Sequence, residues 1–228
     1  MGELNCINCK EISCAALNLN RDELGQQISS GHGNSYKAGE LILKEGTFSS
    51  NIIYLKSGLV KEFKIGKGHS EEYILQIVKE KSYLGLASLF GDRINHFSYT
   101  ALTDVKVCNI DIAVFKAFIQ ENGNFGYHIL QSVCSDSLNN YHRFTNLHFK
   151  KIYGKLADAL LYFSKNIYMS NRFLMHLSRN EISFLIGSSR ESVSKQLNQF
   201  EKEGIIKLKG KEITIIKPET LEKISKFG

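Results

Sequence analysis

The sequence predicts an α+β chain in three parts: a run of short strands, one long helix, and a helical C-terminal part that closes on a hairpin. Three observations predict it. Residues 34–111 hold short β-branched and aromatic segments between glycines. From Phe125 to Leu147 apolar residues recur at helical steps without a proline. Residues 177–216 hold two S-x-x-E patterns, a glycine after each, and an alternating segment around Lys209-Gly210-Lys211.

In the β part, VKEFKI (60–65) and part of EEYILQIV (71–78) alternate, while NIIYL (51–55), FSYTAL (97–102) and VKVCNI (105–110) are short and strand-like. Gly39, Gly46, Gly58, Gly66, Gly68, Gly85 and Gly91 carry the turns, because the chain has a single proline. Such spacing predicts a small antiparallel roll or sandwich.

The set Phe125, Ile129, Val133, Leu138, Tyr141, Phe144 and Leu147 forms the stripe of an amphipathic helix over about 125–147. A helix of that length outruns a small roll, so the stripe is expected to pair with a second copy about a two-fold axis.

KIYGKLADALLYFSKNI (151–167) reads as one helix. LSRNEISFLIG (177–187) opens with Ser178 and Glu181, a capping box, and Gly187 marks a tight turn. SSRESVSKQLNQFEKEG (188–204) opens with a second such pair, Ser188 and Glu191, and IIKLKGKEITII (205–216) is a hairpin. Two short helices joined at a glycine, followed by a hairpin, make a winged helix-turn-helix. Val193, Leu197 and Phe200 should face its core. Arg190, Glu191, Ser194 and Lys195, with Ser188 and Ser189, occupy the end that enters a major groove. Arginine can donate two bonds to guanine, and glutamate can accept from cytosine. Lys207, Lys209 and Lys211 are placed to meet phosphates. A charged, solvated helix face is the plain alternative for any one of these residues.

At this point the chain resembles the Crp/Fnr family of bacterial transcription regulators. LSRNEISFLIGSSRESVSKQLNQFEKEGII is similar to the family's DNA-binding domain. YKAGELILKEGTFSSNIIYLKSGLVKEFKI is similar to its cyclic-nucleotide-binding-type β-roll. The resemblance implies a cysteine segment over 1–20, a sensor roll over 21–122, a dimerisation helix over 123–149 and a winged domain over 150–228. It implies a homodimer on an inverted-repeat operator in double-stranded DNA, with RNA polymerase as a further partner. Arg190-Glu191 matches the family's recognition helix, whereas Lys195 stands where Fnr-type members have arginine and lacks its bidentate fork. Cyclic-AMP-binding members hold ribose with a glutamate and phosphate with an arginine. Ala87 and Phe97-Ser98 stand at those places in GLASLFGDRINHFSYTAL (85–102), and Arg93 is out of register. Cyclic AMP is therefore not the expected ligand.

CINCKEISC (6–14) concentrates three of the five cysteines. Clustered thiols with no secretory signal read as a metal site in a cytoplasmic protein rather than as disulfides. Thiolates at Cys6, Cys9 and Cys14 need a fourth ligand to complete a tetrahedral zinc or a [4Fe–4S] cluster. Fnr-type oxygen sensors have three N-terminal cysteines and a fourth in the roll's last strand. By that resemblance Cys108 completes the set for a [4Fe–4S] cluster. The second gap is four residues here and five in Fnr. Zinc with a histidine such as His32, a disulfide, or no ligand at all remain the alternatives. Cys134 on the long helix reads as a small buried hydrophobe.

The net charge of +6 and pI near 8.9 suit an anionic partner. With 228 residues, 43% of them apolar, the chain can build two modest cores, and no run is long enough to cross a membrane. No nucleophile–base pair, phosphate-binding glycine loop or useful carboxylate pair suggests an enzyme. Two other readings stay open: a Crp/Fnr-type regulator that lacks a cluster and answers a ligand in the roll, and a zinc-bound interaction protein without DNA binding.

Overall fold

The structure is a computed structural model and describes residues 16–20, 22–23, 32–66 and 72–228. The chain divides into two compact units: Met1–Lys64 with Gln76–Asn139, and Ile65–Leu75 with Asn140–Gly228. Among the described residues no helix is long and apolar enough to cross a membrane.

The first unit is a β-roll with helices on one side. Its strands are β1 (His32–Tyr36), β2 (Leu41–Leu43), β3 (Asn51–Ser57), β4 (Leu59–Ile65), β5 (Glu72–Lys79, whose residues up to Leu75 count with the second unit) and β6 (Ser82–Leu84), then β7 (Ser98–Ala101) and β8 (Val105–Asp111). A short helix, α1 (Leu86–Phe90), lies between β6 and β7. Two four-stranded sheets form, ordered β1-β8-β3-β6 and β2-β7-β4-β5. All the named pairings are antiparallel, as the glycine-spaced strands predicted. Gly58 turns β3 into β4 at φ +95°, and a Cβ there would sit 2.5 Å from the Asp104 carbonyl oxygen.

Alternation along the strands separates two cores. Ile53, Leu55, Val60, Tyr99, Val105 and Val107 fill the roll's interior. Ile52, Tyr54, Cys108 and Ile110 point to the other face, where they pack with Phe115, Phe118, Phe125 and Ile129. These aromatic residues come from α2 (Ile112–Glu121) and α3 (Gly123–Phe149). Asp111 caps α2 by accepting from the Ala113 and Val114 N–H groups.

The α3 helix extends two residues past the apolar span, 125–147, at each end. Its apolar residues do not form one stripe. Phe125 and Ile129 are buried in their own unit and Val133 packs against them. Tyr127, Leu130, Leu138, Tyr141 and Phe144 are exposed. The expected pairing stripe is thus corrected in its first half, which covers the roll, while Leu138, Tyr141 and Phe144 of the same set lie in the open face. Cys134 is also corrected, because it is exposed rather than buried.

The second unit holds α4 (Ile152–Tyr162), β9 (Arg172–Leu174), α5 (Arg179–Ile186), α6 (Arg190–Lys202), β10 (Ile206–Lys209), β11 (Glu212–Ile215) and α7 (Pro218–Phe227). The single helix expected over 151–167 changes after Tyr162 into a π-helical turn, Phe163–Ile167. The hairpin gains a third strand, giving a sheet ordered β10-β11-β9.

Candidate functional site

Two places hold the residues singled out in the sequence. The first is the helix pair α5 and α6 with its hairpin. Ser178 caps α5 through the predicted box: its hydroxyl accepts from the Glu181 N–H at 3.2 Å, and the Glu181 carboxylate accepts from the Ser178 N–H at 2.9 Å. Gly187 ends α5 at φ +59°, with nothing near its missing Cβ. Glycine is therefore needed there for its backbone conformation, not for space.

The second expected box, Ser188 with Glu191, is not formed. Ser189 is the cap, and its hydroxyl accepts from the Ser192 N–H at 3.1 Å. Ser188 N–H instead donates back to the Ser183 carbonyl as the chain leaves the turn. Adjacent serines make the start ambiguous by one residue, and the turn geometry decides it. The shift frees the Glu191 side chain from capping. Arg190, Glu191 and Lys195 are exposed, and Ser194 is half-buried.

Val193 and Leu197 are fully buried and Phe200 is 1% exposed, so the inner face of α6 is as predicted. Each such side chain contributes roughly 1.5–3 kcal/mol of burial. Glu201 accepts from the Leu208 N–H at 2.8 Å and so ties the end of α6 to the first hairpin strand. Lys207, Lys209 and Lys211 are exposed along the hairpin, with Gly210 at φ +63° in its turn.

Arg143, near the end of α3, was not singled out in the sequence. It donates to the Leu185 carbonyl in the last turn of α5 at 3.2 Å. It also reaches the Ile74 carbonyl of β5 at 3.5 Å. An arginine on a polar helix face carries no sequence signal for such a role.

The second place is the helix-facing side of the β1-β8-β3-β6 sheet. Cys6, Cys9 and Cys14 lie outside the described residues. Cys108 lies in β8, 9% exposed, in one apolar cluster with Ala16 and Leu19. Ala16 follows Cys14 by two positions, so the chain just after the cysteine motif packs in the same cluster as Cys108. Among the described residues no three His, Cys, Asp or Glu side chains gather as metal ligands.

Inside the roll, Glu62 is buried and accepts from the Tyr99 hydroxyl at 2.7 Å and the Gln76 amide at 2.6 Å. Burial, and then the nearby Glu62 carboxylate, push the Tyr99 phenol well above its ordinary range. Gly85 precedes α1 in a left-handed conformation, and Ala87 is exposed. The Arg93 guanidinium lies 5.1 Å from the Phe48 ring centre, with its backbone at φ +65°.

A β-roll followed by a long helix and a winged helix-turn-helix is the architecture of a DNA-binding transcription regulator. The comparisons agree. Residues 34–122 match the cyclic nucleotide-binding domain and residues 154–224 match the Crp-like helix-turn-helix domain. The chain is 26% identical over 192 residues to the CRP-like cAMP-activated global transcriptional regulator of Mycobacterium tuberculosis, covering 82% of this chain and 84% of the relative. It is 24% identical over 226 residues to the transcriptional activator protein Anr of Pseudomonas protegens, covering 94% and 91%. Among solved structures, FixK2 of Bradyrhizobium japonicum shares the fold with a TM-score of 0.78 at 17% identity, covering 85% and 96%. The chain is a transcription regulator of the Crp/Fnr type.

Proposed function

We propose that the chain acts as a homodimer that reads an inverted-repeat operator, and that its input is oxygen or redox state. Each α6, with the turn that precedes it, presents Ser188, Ser189, Arg190, Glu191, Ser194 and Lys195 to the major groove, and the hairpin lysines meet phosphates. Cys6, Cys9, Cys14 and Cys108 are the ligands of a [4Fe–4S] cluster, which would supply an oxygen-labile link between the N-terminal segment and the roll. One observation supports the cysteine reading above the others. Ala16 and Leu19 are buried in the same cluster as Cys108, so the described chain leads from the roll to within two residues of Cys14. A soft thiolate set suits iron–sulfur or zinc. RNA polymerase is the expected partner of the DNA-bound dimer.

Mobility shifts on an operator and on random DNA test the interface. Arg190→Ala or Glu191→Ala should reduce discrimination between the two by roughly 1–3 kcal/mol. Equal loss on both DNAs would move these residues from bases to phosphates. An absorbance spectrum of anaerobically purified protein tests the input.

Cyclic AMP activation, named for the mycobacterial relative, is opposed by Glu62. A buried carboxylate facing the roll's interior repels a cyclic phosphate, and Arg93 is stacked on Phe48. Calorimetry should show cyclic AMP binding no tighter than about 1 mM. Micromolar binding coupled to stronger DNA binding would overturn this.

A further inference from the structure

Asn122, between α2 and α3, uses all four of its polar groups. Its N–H donates to the Phe118 carbonyl at 2.9 Å, closing α2, and its carbonyl accepts from the Gly126 N–H at 3.0 Å. Its side-chain oxygen accepts from the Phe125 N–H at 3.1 Å, which caps the first turn of α3. Its side-chain nitrogen donates to the Asn18 carbonyl at 2.8 Å and approaches the Glu23 carboxylate at 3.2 Å. Only the oxygen can serve the helix and only the nitrogen can serve the N-terminal segment, so the amide orientation is set.

The segment it holds is itself braced. Asn20 accepts from the Asp22 and Glu23 N–H groups, and the Glu23 carboxylate accepts from the Asn20 N–H at 2.7 Å. Ala16 and Leu19 anchor the same segment in the cluster that contains Phe125 and Ile129 of α3. Polar and apolar contacts therefore converge on the start of the long helix.

We propose that Asn122 is the joint through which the cysteine segment acts on the pairing helix. This rests on the reading that α3 pairs two copies and that Cys14 takes part in sensing. With residues 16–20, 22 and 23 docked, the Asn18 carbonyl and Glu23 hold the amide nitrogen, and the amide oxygen stays aimed at Phe125. With the segment released, the amide turns freely, the cap is intermittent, and the first turn of α3 frays away from Ile129's packing. The segment thereby biases a two-state helix by differential contact, as a coupling of sites requires. Asn122 is a positioning residue, not a ligand.

Asn122→Asp separates the two halves of the joint. Aspartate still caps Phe125, but it cannot donate to Asn18 and it repels Glu23. The second variant, Asn122→Asp with Glu23→Gln, returns a donor to the pair. Amide hydrogen exchange and sedimentation are measured on the full-length chain, reduced and metal-free, then again after reconstitution with iron and sulfide. Asn122→Asp should speed exchange at residues 16–20 about tenfold, the scale of one lost hydrogen bond. Its carboxylate caps Phe125 whether or not the segment is docked, so Phe125 protection and self-association should stay at the level of the reconstituted wild type in both states, and the double variant should recover the slow exchange at residues 16–20. Unchanged exchange at residues 16–20 would overturn the clasp. Self-association of Asn122→Asp that still falls in the metal-free state would overturn the joint. Failure of the underlying readings appears in the wild type instead: a colourless reconstituted chain refutes the cluster, and a monomer in both states refutes the pairing.

Discussion

Leu138→Asp should leave the chain folded and monomeric. Leu138 is 59% exposed on α3, in an open face that also holds Tyr127, Leu130, Tyr141 and Phe144. With Cys134 these residues sit at positions 127, 130, 134, 138, 141 and 144, steps of three and four that make a seam for a second helix. A charge buried without a partner at such a seam costs about 3–5 kcal/mol, and a two-fold axis brings two of them together. The dimer dissociation constant should rise at least about a hundredfold. Ile129→Asp tests the opposite expectation. Ile129 is 5% exposed and belongs to its own unit's core, so its replacement should lower the melting temperature before it affects pairing. Sedimentation separates the two outcomes. Cys134 gives a second readout, since a disulfide needs its two Cα atoms within about 7 Å. In a chain with serine at Cys6, Cys9 and Cys14, held at a concentration high enough to drive pairing without the cluster, mild oxidation should cross-link Cys134 to its twin, and Leu138→Asp should abolish the product. An unchanged dimer with no cross-link would place the interface elsewhere.

That seam shows where sequence reading stopped. Helical spacing placed α3 correctly, because the period of its apolar residues is a property of the chain alone. It did not separate two apolar faces on one helix. Ile129 and Leu138 look alike in sequence, and only the roll packed against the first turns distinguishes them. The strands read well where alternation was strong, as at β4, and poorly where they were three residues long, as at β2 and β6. Short edge segments gain their strand character from pairing, not from propensity. On α6 the buried set Val193, Leu197 and Phe200 was legible because burial follows the helical period. The cap was not: Ser188 and Ser189 offer equivalent hydroxyls, and the Gly187 turn chose between them. Arg143 and Asn122 were illegible for a different reason. Their partners are the Leu185 and Asn18 carbonyls, and a backbone acceptor leaves no mark in sequence.

Serine in place of Cys14 should give an anaerobic protein without brown colour and without operator binding at concentrations where the wild type binds fully. The same is expected at Cys6, Cys9 and Cys108, whereas Cys134→Ser should keep both properties. Cys14→Ser is the cleanest of the four, because Cys108 is buried and its replacement also perturbs a core. The size of the effect follows from the tie. Metal–thiolate binding contributes on the order of 10 kcal/mol in small sites. A shift from mostly monomer to mostly dimer needs about 5 kcal/mol of differential affinity, so even partial transfer of that free energy is enough. The path for it is short. Ala16 lies two residues from Cys14 and is buried in the same cluster as Cys108, and Asn18 is held by Asn122 at the start of α3. With the thiolates engaged, the segment is fixed at both ends and the pairing helix keeps its first turn. With them released, only Ala16, Leu19 and the Asn122 clasp remain to hold it. Absorbance and operator binding should therefore decline together on exposure to air, with one rate. Zinc in the same cage would give no visible absorbance and no response to oxygen. A reconstituted wild-type protein that stays colourless yet binds its operator fully would refute the cluster, and a brown protein whose DNA binding ignores air would refute its role as the input.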